Sequence, residues 1–266
     1  MNLYRGCQHG CIYCDTRSEC YGINDISTIS VKKNALDLLV QELFRKRKNR
    51  ATIGTGSMND PYMPVEKELK MTRKALQIIA KEKFPVHIIT KSNLVERDAD
   101  ILQDISKVYA AVSFTITSAD DSLSQKIEPH APPASERFKA MKSLAEKGIY
   151  TGVTLMPTLP FINDTAENIT AIVKQAKESG ASYILPVFGL TLRKGSREYF
   201  YNALDNQFEG IKEKYQSRYG EQYECFSPNY RSLTDTFKEQ CVKLGIDNRM
   251  RFYRPEAYVQ PSIFDF

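Results

Sequence analysis

An open, partial (β/α)6 barrel with a helical C-terminal extension is the α/β fold that this sequence predicts. Three observations predict it. Short apolar, β-branched runs alternate with amphipathic stretches of helical period from about Val31 to Gly189. Single helices separate the strands, which implies parallel pairing through right-handed crossovers. Counting a short strand at residues 2–5 gives six units, fewer than the eight of a closed barrel.

The elements follow in order. Leu36, Leu39, Val40, Leu43 and Phe44 recur at helical spacing across residues 35–48, and residues 51–57 then read as a strand. A helix over 66–81 leads to a strand over 86–90, and a helix over 97–106 to a β-branched strand over 110–117. The next helix, 135–147, is closed by Gly148 just past its end. A strand at 150–156, a helix at 165–179 followed by Gly180, and a strand at 183–188 complete the series. Asp164 or Thr165 is placed to cap that last helix, with Glu167 favouring its dipole.

Beyond residue 190 the pattern changes. Residues 196–218 and 233–244 are helical, with no regular strand between them. The expected division is a barrel over 1–190, with a cysteine loop at 7–14, and an extension and tail over 191–266 covering one side of the barrel mouth. Cys7 leaves little room for a first strand of about five or six residues, so an upstream extension is expected.

The 42% of hydrophobic residues supply one large core, and 13 Gly with 12 Pro argue against low complexity. With 37 Lys+Arg against 32 Asp+Glu the net charge is +5, which permits contact with nucleic acid without demanding it. No run is apolar for long enough to span a bilayer, and the start carries no secretory pattern. A cytoplasmic protein without membrane contact is expected. Its six cysteines should then be thiols or metal ligands.

Four of the six lie within the first 20 residues, and Cys7, Cys11 and Cys14 have the spacing C-x3-C-x2-C. Three thiolates on one loop can hold three irons of a [4Fe–4S] cluster and leave the fourth iron open. The amino and carboxylate groups of S-adenosylmethionine can chelate an open iron. Gly6 and Gly10 let the loop wrap closely. The alternative is zinc held by these cysteines with His9, although structural zinc usually draws on two separated ligand pairs.

This spacing, with aromatic Tyr13 before the third cysteine, resembles the radical S-adenosylmethionine (SAM) superfamily. Further segments resemble its spore photoproduct lyase-like, DNA repair photolyase-like branch. They are Asn2-Leu3-Tyr4-Arg5-Gly6-Cys7, Met58-Asn59-Asp60-Pro61-Tyr62-Met63-Pro64-Val65-Glu66 and Ile89-Thr90-Lys91-Ser92. Lys126-Ile127-Glu128-Pro129 and Met156-Pro157-Thr158-Leu159-Pro160-Phe161-Ile162-Asn163-Asp164 extend the likeness to about residue 165. The resemblance implies reductive cleavage of SAM to a 5′-deoxyadenosyl radical, an external reductant, and action on DNA. It also implies roles: Tyr13 toward adenine, Gly56 and Ser57 at the methionyl group, Lys91 on its carboxylate, and Ser113 on the ribose or methionyl group.

One departure matters. The lyase of that branch carries a cysteine just before the serine matching Ser57 and uses it to quench a product radical, whereas Gly56 stands before Ser57 here. Cys20, Cys225 and Tyr62 are the substitute hydrogen donors to examine. A peptide or small-molecule substrate, or a noncatalytic metal-binding adaptor, are the competing readings.

Two features bear on partners. Arg45-Lys46-Arg47-Lys48-Asn49-Arg50 is a basic run at a helix end, joined by Arg193, Lys194, Arg197 and residues 249–254. It reads either as a phosphate-binding surface or as cations favoured by the helix dipole. Tyr62 or Phe161 would stack on an extruded base. Gln260-Pro261-Ser262-Ile263-Phe264 resembles the short peptides by which bacterial repair proteins bind the sliding clamp.

Overall fold

The computed structural model describes residues 1–255. The chain opens with β1 (Tyr4–Arg5), the cysteine loop, two 3-10 turns and β2 (Ser30–Val31). It continues through α1 (Ala35–Lys46), β3 (Ile53–Gly54), α2 (Glu66–Leu69), α3 (Met71–Lys81) and β4 (Val86–Thr90). Then come α4 (Ala99–Ser106), β5 (Ala110–Thr115), α5 (Asp121–Ile127), α6 (Ala134–Glu146), β6 (Tyr150–Leu155), α7 (Ala166–Glu178) and β7 (Tyr183–Pro186). The remainder is β8 (Gly189–Thr191), α8 (Ser196–Gln207), α9 (Ile211–Tyr219), β9 (Glu224–Phe226) and α10 (Tyr230–Leu244).

β3 to β7 form one parallel sheet in chain order, the open α/β arrangement that the alternating pattern predicts. It has five strands rather than six. Tyr4–Arg5 pairs antiparallel with Ser30–Val31 instead, because Gly6, at φ +90°, turns the chain into the cysteine loop at once. The N-terminal segment still lies beside the sheet edge: the Met1 amine donates to the Gly54 carbonyl at 2.5 Å, and Asn59 Nδ2 to the Tyr4 carbonyl at 2.6 Å.

Alternation sorts each strand. Val86, Ile88, Val112, Phe114 and Val153 face the helix layer and are fully buried. Each contributes about 1.5–3 kcal/mol of burial. His87, Ile89, Ser113, Thr115 and Gly152 have the opposite parity and line the barrel interior. The segment after α10 crosses the lower end, where Ile184 N–H donates to the Asp247 carbonyl and Tyr109 OH to the Arg251 carbonyl.

The long helix expected at 66–81 is broken at Lys70, which is left-handed at φ 52°. The cause is Glu66. Its buried carboxylate accepts from the N–H groups of Thr72 and Arg73, the first turn of α3, and pairs with Arg97 at 2.8 Å. The helix expected at 196–218 is likewise broken before Ile211, at Gly210. The expectation of no strand in this region fails: β9 pairs antiparallel with β8, so Cys225 lies opposite Leu190. α10 packs on α7 and adds Leu233, Phe237 and Cys241 to the main core. Among the described residues no helix is long and apolar enough to cross a membrane. Gln260–Phe264 lies outside the described residues.

Candidate active site

The cysteine loop is held by three backbone bonds to two other segments, around Ile26 and at residues 127–130. Cys7 N–H donates to the Ile26 carbonyl at 2.7 Å, Ile12 N–H to Ile127, and the His130 N–H to the His9 carbonyl. Gly6 is obligatory: a Cβ there would lie 2.5 Å from the Thr28 carbonyl oxygen. The loop thereby caps the C-terminal ends of the sheet strands, the face on which barrel enzymes build their sites.

Beneath it lies a cavity of about 400 Å³. Cys7, Cys11 and Cys14 line it, together with Tyr13, Gly56, Ser57 and Lys91. The strand ends and loops thus bring together seven residues expected at the site. Among the described residues no three His, Cys, Asp or Glu side chains converge as a single metal ion requires. His9, the candidate zinc ligand, is buried with Nε2 3.2 Å from Asp60 Oδ2.

Ser113 stands apart. It is fully buried on the inner face of β5, does not line the cavity, and bonds His87 Nε2 at 2.7 Å and the Tyr183 hydroxyl at 2.6 Å. Thr115, two residues along the same face, lines the cavity instead. None of the three candidate hydrogen donors lines it either. Cys20 is exposed beside Arg193. Cys225 is buried behind Leu190, and burial pushes its thiol up to about 11. Tyr62 is a core residue whose hydroxyl donates to Asp98 at 3.1 Å.

Two buried carboxylates organise the site. Glu128 accepts the Tyr13 hydroxyl and pairs with Arg137 at 2.5 Å, while Arg137 Nη1 also donates to the Thr115 carbonyl. Burial alone would raise the Glu128 carboxyl; Arg137, Lys91 and Tyr13 outweigh it and hold it below the ordinary carboxylate value. Asp60 is likewise buried and likewise depressed, by the neighbouring His9 ring and by hydrogen bonds from Thr90 and the Lys91 backbone. Both lie within the segments that carry the family resemblance, but with no signal of burial or partner.

Lys91 is partly buried at the cavity wall, its ammonium 5.6 Å from the centre of the Tyr13 ring. Burial works against its charge, and the negative surroundings of Cys11, Glu128 and Asp60 raise it above an ordinary lysine. It stays a cation that faces open space. The Met156–Pro157 peptide, which is cis, also lines the cavity.

The basic residues divide in an unexpected way. Arg45–Arg50 spans the last turn of α1 and the link to β3, so it sits at the N-terminal end of the sheet, away from the cavity. Arg251 lies beside Tyr109 and Tyr150, at that same lower end. Arg197 is buried and donates to the carbonyls of Leu192, Gly220 and Gln222, which makes it a strut of the extension. Arg17 and Arg193 do not line the cavity but lie within two residues of Thr16 and Thr191, which do, and they stack on Tyr199 and Tyr223 at 3.6 and 4.7 Å.

A three-cysteine loop over the C-terminal end of a partial parallel barrel is the arrangement of radical SAM enzymes. The chain belongs to the radical SAM superfamily, whose sequence profile matches residues 1–184. It is similar to an uncharacterized protein of Methanocaldococcus jannaschii, 31% identical over 217 residues that cover 80% of this chain and 79% of that one. A radical SAM Nα-GlyT isomerase of Pseudomonas phage M6 is 22% identical, over 68% of this chain and 37% of its own. The fold is that of spore photoproduct lyase, solved with bound AdoMet and dinucleoside spore photoproduct. The TM-score is 0.69 at 16% identity, over 91% of this chain and 73% of the lyase.

Proposed function

We propose that Cys7, Cys11 and Cys14 hold three irons of a [4Fe–4S] cluster, that SAM binds beside it, and that the substrate is a base or lesion in nucleic acid. The observation that carries this reading is that the three thiols, Ser57 and the Lys91 ammonium all open onto one cavity of about 400 Å³.

The donor set fits the group. Burial raises the Cys7 and Cys11 thiols, and a thiolate in such surroundings needs a metal or a cation beside it. When bound, the reduced cluster supplies the electron that cleaves SAM to methionine and a 5′-deoxyadenosyl radical. The chain's own residues bind and orient. Lys91 offers an ammonium to the methionyl carboxylate. Ser57 and the open backbone at Gly56 offer hydrogen bonds to the same moiety. Tyr13, fixed through its hydroxyl by Glu128, offers a rigid aromatic wall toward the adenine.

Nucleic acid as substrate is supported by the fold likeness to a lyase solved with a dinucleoside photoproduct. It is also supported by Arg17–Tyr199 and Arg193–Tyr223, since stacked cation–aromatic pairs near a mouth suit phosphate and base contacts.

The test is anaerobic reconstitution followed by chromatography for 5′-deoxyadenosine, with and without ultraviolet-irradiated DNA. About four irons and four sulfides per chain are expected, with SAM cleavage that irradiated DNA accelerates. A verified cluster that yields no 5′-deoxyadenosine would sink the enzymatic reading. Cleavage indifferent to DNA and RNA would sink the nucleic-acid part and favour a peptide or small-molecule substrate.

A further inference from the structure

Asp60 touches more of the site than any residue the proposed chemistry uses, yet it has no part in that chemistry. Its Oδ1 accepts from its own loop, at Tyr62 N–H (2.8 Å), and from the Thr90 hydroxyl at the end of β4 (2.7 Å). Its Oδ2 accepts from the Lys91 N–H at 2.6 Å and lies 3.2 Å from His9 Nε2. His9 sits between Cys7 and Cys11 on the cysteine loop, and its ring is buried. One oxygen therefore faces both the segment that carries the thiols and the backbone of the lysine that faces the cavity.

We infer that Asp60 is a positioning residue that fixes Lys91 relative to the cysteine loop, so that a SAM carboxylate at Lys91 and an open iron at the loop are met in one register. The inference rests on the proposed function above and adds to it the residue that joins its two halves. A carboxylate is required because Oδ2 faces a backbone N–H that can only donate. An amide there would keep the Oδ1 bonds and turn its own N–H groups against the Lys91 N–H. A merely structural residue would need no such distinction, since Asn has nearly the same size and keeps the turn at Tyr62.

The experiment compares wild type, Asp60→Asn, Thr90→Val and His9→Gln after anaerobic reconstitution. Readouts are iron and sulfide content, SAM affinity by equilibrium dialysis, and the change that SAM makes in the electron paramagnetic resonance spectrum of the reduced cluster. Expected for Asp60→Asn is a full cluster, a SAM dissociation constant raised about tenfold, and an altered or absent spectral response. Thr90→Val, which removes an Oδ1 partner and the acceptor of the Ser92 N–H but leaves the Oδ2 contacts, should stay within about threefold of wild type. His9→Gln should load a cluster and bind SAM, with a spectral response displaced from wild type.

Wild-type affinity and spectrum in Asp60→Asn would overturn the inference. So would loss of the cluster in Asp60→Asn while His9→Gln and Thr90→Val retain it, because Asp60 would then be a strut for the loop alone. Failure of the wild type itself to load a cluster or bind SAM would overturn the proposed function instead.

Discussion

Gly56 sets the shape of the cavity wall by what it lacks. At φ +86° a Cβ would lie 2.3 Å from the Ile89 carbonyl oxygen, a backbone atom that cannot swing aside. Gly56→Ala and Gly56→Cys should therefore each lose about 2 kcal/mol or more of stability in urea unfolding. An unchanged midpoint in either would refute the clash. His87 gives the residue-scale pH prediction. Burial lowers its pKa from 6.5 to about 4, so it stays neutral and can accept the Ser113 hydroxyl. A depressed base binds fewer protons when folded, so its contribution is constant above about pH 6.5 and is lost between there and pH 4. Up to roughly 3 kcal/mol is at stake over that window. The wild-type urea midpoint should fall across it and that of His87→Gln should fall less; parallel curves would rule out His87 as the cause.

At the scale of elements, buried ionic joints decide where the backbone bends and which side chains reach the cavity. α6 delivers Arg137 into the core, where it ties Glu128 after α5 to the end of β5 and, through Glu128, to Tyr13. Arg137→Met removes the main countercharge of a fully buried carboxylate and should cost about 3 kcal/mol or more, with Tyr13 released from its place. Arg137→Met with Glu128→Gln should recover part of the loss in the same unfolding measurement; no recovery would show that packing rather than charge was removed. These joints explain what was legible in the sequence. The parallel sheet, most helix positions and the Cys7–Cys11–Cys14 loop follow from periodicity and spacing, both local signals. The short pairings β1–β2 and β8–β9 are too brief to show a period. Glu66 capping α3 from α2, and Tyr13 meeting a partner 115 residues away, depend on three-dimensional neighbours. Ser113 shows a related limit: strand parity points it inward, while its depth along β5, which no local signal carries, sets it against His87 and Tyr183.

Over the whole molecule the fold aligns its charges. Parallel strands joined through helices bring the ends of α1, α3, α4, α6 and α7 to the face opposite the cavity, and Arg45, Lys46, Lys81, Lys107, Lys147 and Lys177 lie in or just past those last turns. Cations are favoured there by the helix dipoles, by about 0.3–1 kcal/mol each. That suffices to account for Arg45–Arg50 without any ligand, and it explains why a net charge of +5 says little about the mouth. Near the mouth the candidate phosphate contacts are Arg17 and Arg193. If nucleic acid enters there, the salt dependence of its binding should track those two arginines and ignore the four charges at 45–48. Each lost phosphate contact should reduce the slope of log affinity against log salt by about 0.7–0.9. Arg17→Gln and Arg193→Gln should each flatten the slope by about that amount. The quadruple variant Arg45→Gln, Lys46→Gln, Arg47→Gln and Lys48→Gln should leave both the slope and SAM affinity near wild type. Fluorescence anisotropy with a labelled single strand from 50 to 200 mM salt, about the range over which such slopes are read, separates the two faces. A slope that falls only in the quadruple variant would move the nucleic acid to the far face, out of reach of the cavity that holds the three cysteines.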